Sequence, residues 1–236
     1  MSQSRYLHPI GEASTSHSAN KPFSDPACHR YLIGMGAVMS LLPQPPATVL
    51  DLGCGPGWTS IFLARRGYEV TGVDISTEMI FQANQNKQRA QLANLRFLVA
   101  DYENLSFGGI FDVALFYDSL HHAVDERQAI VSAYRALRTG GICLTSEPGR
   151  GHAGRPPSLA AGPNCHLMEK DMPIRKVLSL GRHAGFRDFR AYPDAAAWVS
   201  RLYGSGKRPK PLILFPALLA LLSYCRSDNG VCLMVK

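Results

Sequence analysis

Ten residues, Val49 to Trp58, constrain this chain more than any other stretch. Val49-Leu50-Asp51-Leu52 is a short apolar run carrying one acid, and Gly53-Cys54-Gly55-Pro56-Gly57 then puts glycine at alternate positions. A helical pattern opens directly afterwards, at Thr59. A buried strand, a tight turn and a helix start in so few residues predict an α/β protein. Glycines belong where φ must be positive or where a side chain would keep a ligand off the backbone. The N–H groups at the following helix start favour an anionic or electron-rich group.

Spacing narrows the ligand. The dinucleotide fingerprint needs Gly-x-Gly-x-x-Gly, whereas Trp58 stands where its third glycine would be. No Gly-Lys-Ser/Thr follows, so the loop is not a Walker-type phosphate loop. With Asp51 just ahead of the first glycine, the stretch resembles motif I of class I S-adenosylmethionine (SAM) dependent methyltransferases. The resemblance implies that Gly53, Cys54, Gly55 and Gly57 lie along the methionine part of SAM, with Asp51 helping to orient its ammonium group. A glycine-rich turn in an unrelated α/β protein is the alternative.

Two further strand ends strengthen the resemblance. Glu69 to Asp74 reads as a second strand ending in an acid 17 residues after Gly57, placed to accept hydrogen bonds from ribose hydroxyls. Ile75 beside it would pack on adenine, although Asp74-Ile75-Ser76 also reads as the cap of the next helix. Leu95 to Ala100 is a third strand, followed by Asp101-Tyr102. The resemblance implies that Asp101 takes the adenine amino group and that the backbone of Tyr102 meets the ring. Ligands bind at the carboxyl edge of open α/β sheets, where Asp51, Asp74 and Asp101 would stand together.

Phe111 to Tyr117 reads as strand four, Ile142 to Ser146 as strand five and Phe186 to Tyr192 as strand six, and Gly230 to Val235 as the last. Leu137 to Gly141 reads as a helix stop and turn. The resemblance implies a Rossmann-like seven-stranded sheet of order 3-2-1-4-5-7-6, its last strand antiparallel and helices on both faces. Residues 1–24 are expected to be a flexible segment, and 25–236 a single domain with an insertion at 193–227. Asp25-Pro26 predicts the start of a helix running to Leu42.

The formal charge of +7 is uneven. Residues 151–210 carry 11 Lys/Arg against 4 Asp/Glu, an excess equal to the whole imbalance. That half could attract an acidic partner, or simply present solvated basic faces. Six cysteines without Cys-x-x-Cys or regular spacing argue against a zinc site or disulfide framework and for a reducing cytoplasm. No metal is therefore expected, and no signal peptide is read at the N-terminus. Pro211 to Leu222 is apolar but too short to span a hydrocarbon core of ~30 Å. With the basic cluster Lys207-Arg208-Pro209-Lys210, segment 207–222 suits either a subunit contact or a peripheral membrane contact.

The chemistry expected is in-line attack on the sulfonium methyl. Tyr117 and the loop Asp118-Ser119-Leu120-His121-His122 leave strand four, where the family places residues next to that methyl. His121 and His122 are the candidate bases, since imidazole titrates near neutrality. Glu147, at the tip of strand five, is a candidate acid on the same edge, and His152 a further candidate. The Asn/Asp-Pro-Pro-Tyr/Phe motif of amino-methylating nucleic-acid enzymes is missing, and no aromatic-basic interleaving marks RNA binding. The expected acceptor is thus a small molecule or saccharide, methylated on oxygen, and no nucleic acid. A non-catalytic SAM-binding subunit, an N- or C-methyltransferase of a small metabolite, and an NAD-dependent oxidoreductase are the alternatives.

Overall fold

Seven strands pair into one sheet of order β3-β2-β1-β4-β5-β7-β6 in the computed structural model, which describes residues 17, 20–153, 169–203 and 228–236. They are β1 (Thr48–Leu52), β2 (Glu69–Asp74), β3 (Leu95–Val99), β4 (Phe111–Tyr117), β5 (Leu137–Glu147), β6 (Asp188–Pro193) and β7 (Gly230–Val235). Strands β1 to β5 pair in parallel, and β7 runs antiparallel between β5 and β6. The expected order and the reversed last strand are both present. Most of segment 1–24, the end of the loop after β5 and the stretch 207–222 lie outside the described residues. Among the described residues, no helix is long and apolar enough to cross a membrane.

Among the described residues there are six α-helices: α1 (Cys28–Ser40), α2 (Trp58–Arg66), α3 (Thr77–Ala90), α4 (Glu126–Ala136), α5 (Ile174–Ala184) and α6 (Ala195–Tyr203), the last packed against α1. Successive strand side chains point to opposite faces, and burial follows that alternation. Val49, Val70, Val113 and Leu115 pack with Met35 and Val38 of α1, Leu63 of α2 and Ala83 of α3. Leu50, Leu52, Ala114 and Phe116 pack with Ile130 and Ala133 of α4 and Val177 of α5. Both faces of the central strands are thus dry, which explains their near-continuous apolar runs.

Helix starts and stops follow the local chemistry. Ser76 Oγ accepts the Met79 N–H at 3.2 Å, and an Asp125 carboxylate oxygen accepts that of Gln128 at 3.0 Å. Two boundaries differ from expectation. Asp25 accepts the Ala27 N–H at 2.7 Å in a turn, and α1 begins only at Cys28. Leu137 to Gly141 belongs to β5 rather than to a separate turn, since Leu137 already pairs with Phe111 and the register slips before Val113 meets Ile142.

Glu126 ties α4 to α5, with Lys176 Nζ at 2.7 Å and Lys170 Nζ at 3.1 Å. Burial opposes its charge, but the hydrogen bonds from the two lysines outweigh that and hold the carboxyl below its usual range. A lowered carboxyl pKa stabilises above the unfolded value and ceases to do so as pH falls through the folded one. Glu126→Gln should therefore cost about 0.5–1 kcal/mol at neutral pH, where solvent screens the pair. That difference should vanish in strong acid, as checked by urea unfolding at both pH values.

Candidate active site

The glycine loop is fastened to the tip of β2. Gly53 and Cys54 donate their N–H groups to the Val73 carbonyl at 2.9 and 3.0 Å, and Gly55 donates to Asp74 Oδ2 at 2.9 Å. Gly55 has φ +52°, and a Cβ there would meet nothing within 4 Å. Its outer face is open backbone. Gly57, with φ +84°, sits at the N-cap of α2, where a Cβ would lie 2.4 Å from Phe97 Cζ. Cys54 is buried, and burial pushes its thiol well up, so it contributes backbone rather than a thiolate.

The three acids occupy the edge in different ways. Asp51 is buried, and its Oδ2 accepts the hydroxyls of Thr59 at 2.5 Å and Ser60 at 2.6 Å. Burial raises its pKa, opposed by those hydroxyls and reinforced by the Asp74 charge. Asp74 Oδ1 accepts the Ser76 N–H at 2.9 Å, and burial raises its pKa too. A carboxylate offers about four acceptor positions, so the bonds from Gly55 and Ser76 leave room for ribose hydroxyls. Asp101 accepts the Glu103 N–H at 2.8 Å and Asn104 Nδ2 at 2.9 Å, folding a turn just past β3.

Aromatic residues frame this edge. The Tyr102 hydroxyl donates to the Ser119 carbonyl at 3.1 Å, and its ring meets Phe116 edge-on at 5.6 Å. Ile75 is half-buried beside Asp74. The Tyr117 hydroxyl donates to the Tyr31 carbonyl at 3.1 Å, and its ring meets Trp58 at 5.3 Å. Tyr117 thereby clamps α1 over the loop, against the bare flank of Gly34. Burial foremost, then the Asp118 charge, raises its phenol pKa, so the group stays protonated.

Beside that edge, the tip of β4 turns into a short 3-10 helix, Leu120–His122. Glu147 Oε1 accepts the N–H groups of Ser119 at 3.0 Å and Leu120 at 2.8 Å, and Oε2 accepts that of His121 at 3.3 Å. Oε2 also lies 2.7 Å from His121 Nδ1. Both residues are buried. Burial disfavours the His121 imidazolium, but the Glu147 hydrogen bond and charge, with Asp118 and Glu169, outweigh it and raise the pKa. His121 Nε2 faces Glu169 Oε2 at 3.5 Å, and His152 Nε2 reaches the same oxygen at 2.5 Å. The His122 ring stacks obliquely on His121 with centroids 3.9 Å apart.

Residues 49–141 match a family model described as a methyltransferase domain. The match starts at β1, ends in β5 and contains the whole glycine loop and all three acids. Over that stretch the chain is similar to SAM-dependent methyltransferases. A ubiquinone biosynthesis O-methyltransferase of Psychrobacter cryohalolentis is 36% identical over 101 residues, 42% of this chain and 39% of that protein. A SAM-dependent Diels-Alderase of Talaromyces variabilis is 32% identical over 138 residues, 56% of this chain and 46% of that protein. The chain spans less than half the length of these curated relatives. Geranyl diphosphate C-methyltransferase of Streptomyces coelicolor shares the fold, with TM-score 0.62 at 18% identity over 96% of this chain and 84% of that one.

The structure brings His121, His122, Glu147 and His152 together beside the glycine loop. Glu147 stands at the tip of β5 as expected and is enclosed there, its oxygens holding the turn and one imidazole. Asp118 is exposed and strained at φ +55°. Four residues of the site escaped sequence reasoning: Thr59 and Ser60 on Asp51, Ser119, whose Oγ donates to the Leu52 carbonyl at 2.6 Å, and Glu169. The hydroxyls one turn into α2 could have been found from the helix period; Glu169 carries no local signal.

Proposed function

We propose that the protein transfers a methyl group from SAM to an oxygen of a small-molecule or saccharide acceptor bound over the tips of β4 and β5. The observation that carries this reading is the adjacency of two features: an open glycine backbone flanked by Asp51 and Asp74, and an imidazole–carboxylate cluster directly beside it. In this reading SAM lies along Gly53–Gly57, its ribose on Asp74, its adenine near Ile75, Asp101 and Tyr102, and Tyr117 closes the methionine end. The sulfonium supplies an activated methyl, and alignment alone is worth ~7–11 kcal/mol in favourable intramolecular cases.

The acceptor hydroxyl gives up its proton at the histidine cluster, a step worth ~10²–10⁴-fold in rate. Glu147 is then a positioning residue, setting the orientation of His121, with His122 the less buried imidazole. Among the relatives, the name O-methyltransferase supports oxygen as the target. The Diels-Alderase name supports a second reading, in which SAM is held and the substrate rearranges without methylation. Incubation with SAM and metabolite extracts decides between them. Methyl transfer gives an acceptor heavier by one CH2 with an equal amount of S-adenosylhomocysteine; rearrangement gives neither.

Asp74→Ala should weaken SAM binding by roughly 1.5–3 kcal/mol, the value of hydrogen bonds to a charged group. Because burial raises the Asp74 pKa, acidification should remove its charge earlier than for an exposed aspartate. SAM affinity should therefore fall as pH is lowered from neutral, and the fall should be blunted in Asp74→Asn. Calorimetric titrations across pH check both statements.

A further inference from the structure

We infer that His121, His122 and Glu169 form a binding site for a divalent transition-metal ion of the zinc type. One ligand atom from each residue lies within 4.8 Å of the other two. The 3.5 Å from His121 Nε2 to Glu169 Oε2 is close to the ~3.4 Å edge of a tetrahedron with metal–ligand bonds of about 2.1 Å. The expectation of no metal came from cysteine spacing, which is blind to imidazoles and a carboxylate meeting from separate segments.

The surroundings are built as metal sites are built. Metal-binding histidines donate their other ring N–H to a carboxylate, which fixes the tautomer. Glu147 stands 2.7 Å from His121 Nδ1, so in the neutral ring the proton sits there and the Nε2 lone pair points toward Glu169. A cation between them satisfies both groups, either a proton on Nε2 or a metal ion, and only the metal ion also takes up a nitrogen of His122. His152 Nε2 meets the same Glu169 oxygen at 2.5 Å, its ring edge-on to that of His121 at 4.9 Å. The next residue, Lys170, donates to the Ala123 and Val124 carbonyls at 2.7 and 3.1 Å, anchoring Glu169 against the histidine turn.

Two imidazoles and one carboxylate suit Zn²⁺, Co²⁺ or Fe²⁺ better than Mg²⁺ or Ca²⁺, which favour all-oxygen sites. Three protein ligands leave a fourth position for water or an acceptor oxygen. Resting on the proposed methyl transfer, the ion, whose ligands His121 and His122 could then not act as bases, would lower the pKa of the bound hydroxyl in their stead. Its proton passes to solvent, the oxygen attacks the methyl carbon, and the carbon–sulfur bond breaks to leave S-adenosylhomocysteine.

The test is equilibrium dialysis of the full chain against Zn²⁺ and, separately, visible spectroscopy with Co²⁺. A single ion per chain and cobalt bands of tetrahedral type without thiolate charge transfer are expected. Glu147→Gln should weaken binding by ~10–100-fold, as for other outer-shell partners; His122→Ala and Glu169→Gln should weaken it at least as much. His183→Ala, at an exposed histidine on α5, should change nothing, and circular dichroism verifies that each variant is folded. Failure of the wild type to take up either ion, or folded His122→Ala and Glu169→Gln binding as tightly as wild type, overturns the inference. SAM calorimetry on the same samples reads the cofactor edge separately, so SAM binding without metal uptake rejects the ion and spares the methyltransferase reading.

Discussion

Glu147→Ala should destabilise the protein by about 3–5 kcal/mol, the cost of breaking a buried charged pair from one side. The carboxylate accepts three backbone N–H groups, from Ser119, Leu120 and His121, and holds the His121 ring at 2.7 Å. Alanine leaves these donors dry and unsatisfied, at ~1–3 kcal/mol for each that water does not reach. It also leaves His121, which is 2% exposed, without the partner that favours its charge. Glu147→Gln keeps a carbonyl acceptor and should lose less. Guanidinium unfolding of the three proteins measures this; a loss below about 1 kcal/mol for alanine would contradict the placement of Glu147 as the hub of the turn.

The second large effect separates folding from binding within one loop. At Gly57 a methyl group would sit 2.4 Å from Phe97 Cζ and 3.2 Å from Ala83 Cβ, in a residue with φ +84°. Gly57→Ala should cost about 2–4 kcal/mol, combining overpacking with the left-handed penalty. Gly55→Ala meets no atom within 4 Å, so only the left-handed term of ~1–2 kcal/mol applies. Its methyl group, however, projects into the space assigned to the methionine part of SAM. Gly57→Ala should thus fail in thermal unfolding, and Gly55→Ala mainly in SAM titration. Equal stability losses would contradict this division.

Period and cap signals made much of the fold legible. Val49 to Leu52 and Phe111 to Tyr117 read as buried strands because both of their faces are covered, and Ser76 and Asp125 announced α3 and α4 through their side chains. The strand order came from the resemblance to SAM enzymes, since parallel pairing leaves little local trace. The start of β5 was illegible: α4 passes into it at Leu137 with no intervening loop, and a glycine pair that reads as a turn sits inside a register slip.

Within the site, the acids at strand ends were legible because each interrupts an apolar run. What each carboxylate touches was not. Asp101 spends both oxygens on its own turn, and Asp51 meets hydroxyls one turn into α2, contacts that depend on loop geometry rather than composition. Glu147 and His121 stand 26 residues apart and Glu169 is farther still. Only the parallel pairing of β4 with β5, Tyr117 opposite Ser146, brings Glu147 and His121 to one place.

Calorimetric titration of the wild-type chain with SAM, S-adenosylhomocysteine and NAD tests the central claim most directly. Saturable binding of a single SAM or S-adenosylhomocysteine per chain is expected, lost or much weakened in Asp74→Ala, with no heat from NAD. Saturable binding of NAD with none of SAM, or SAM affinity untouched in a folded Asp74→Ala variant, would contradict the account.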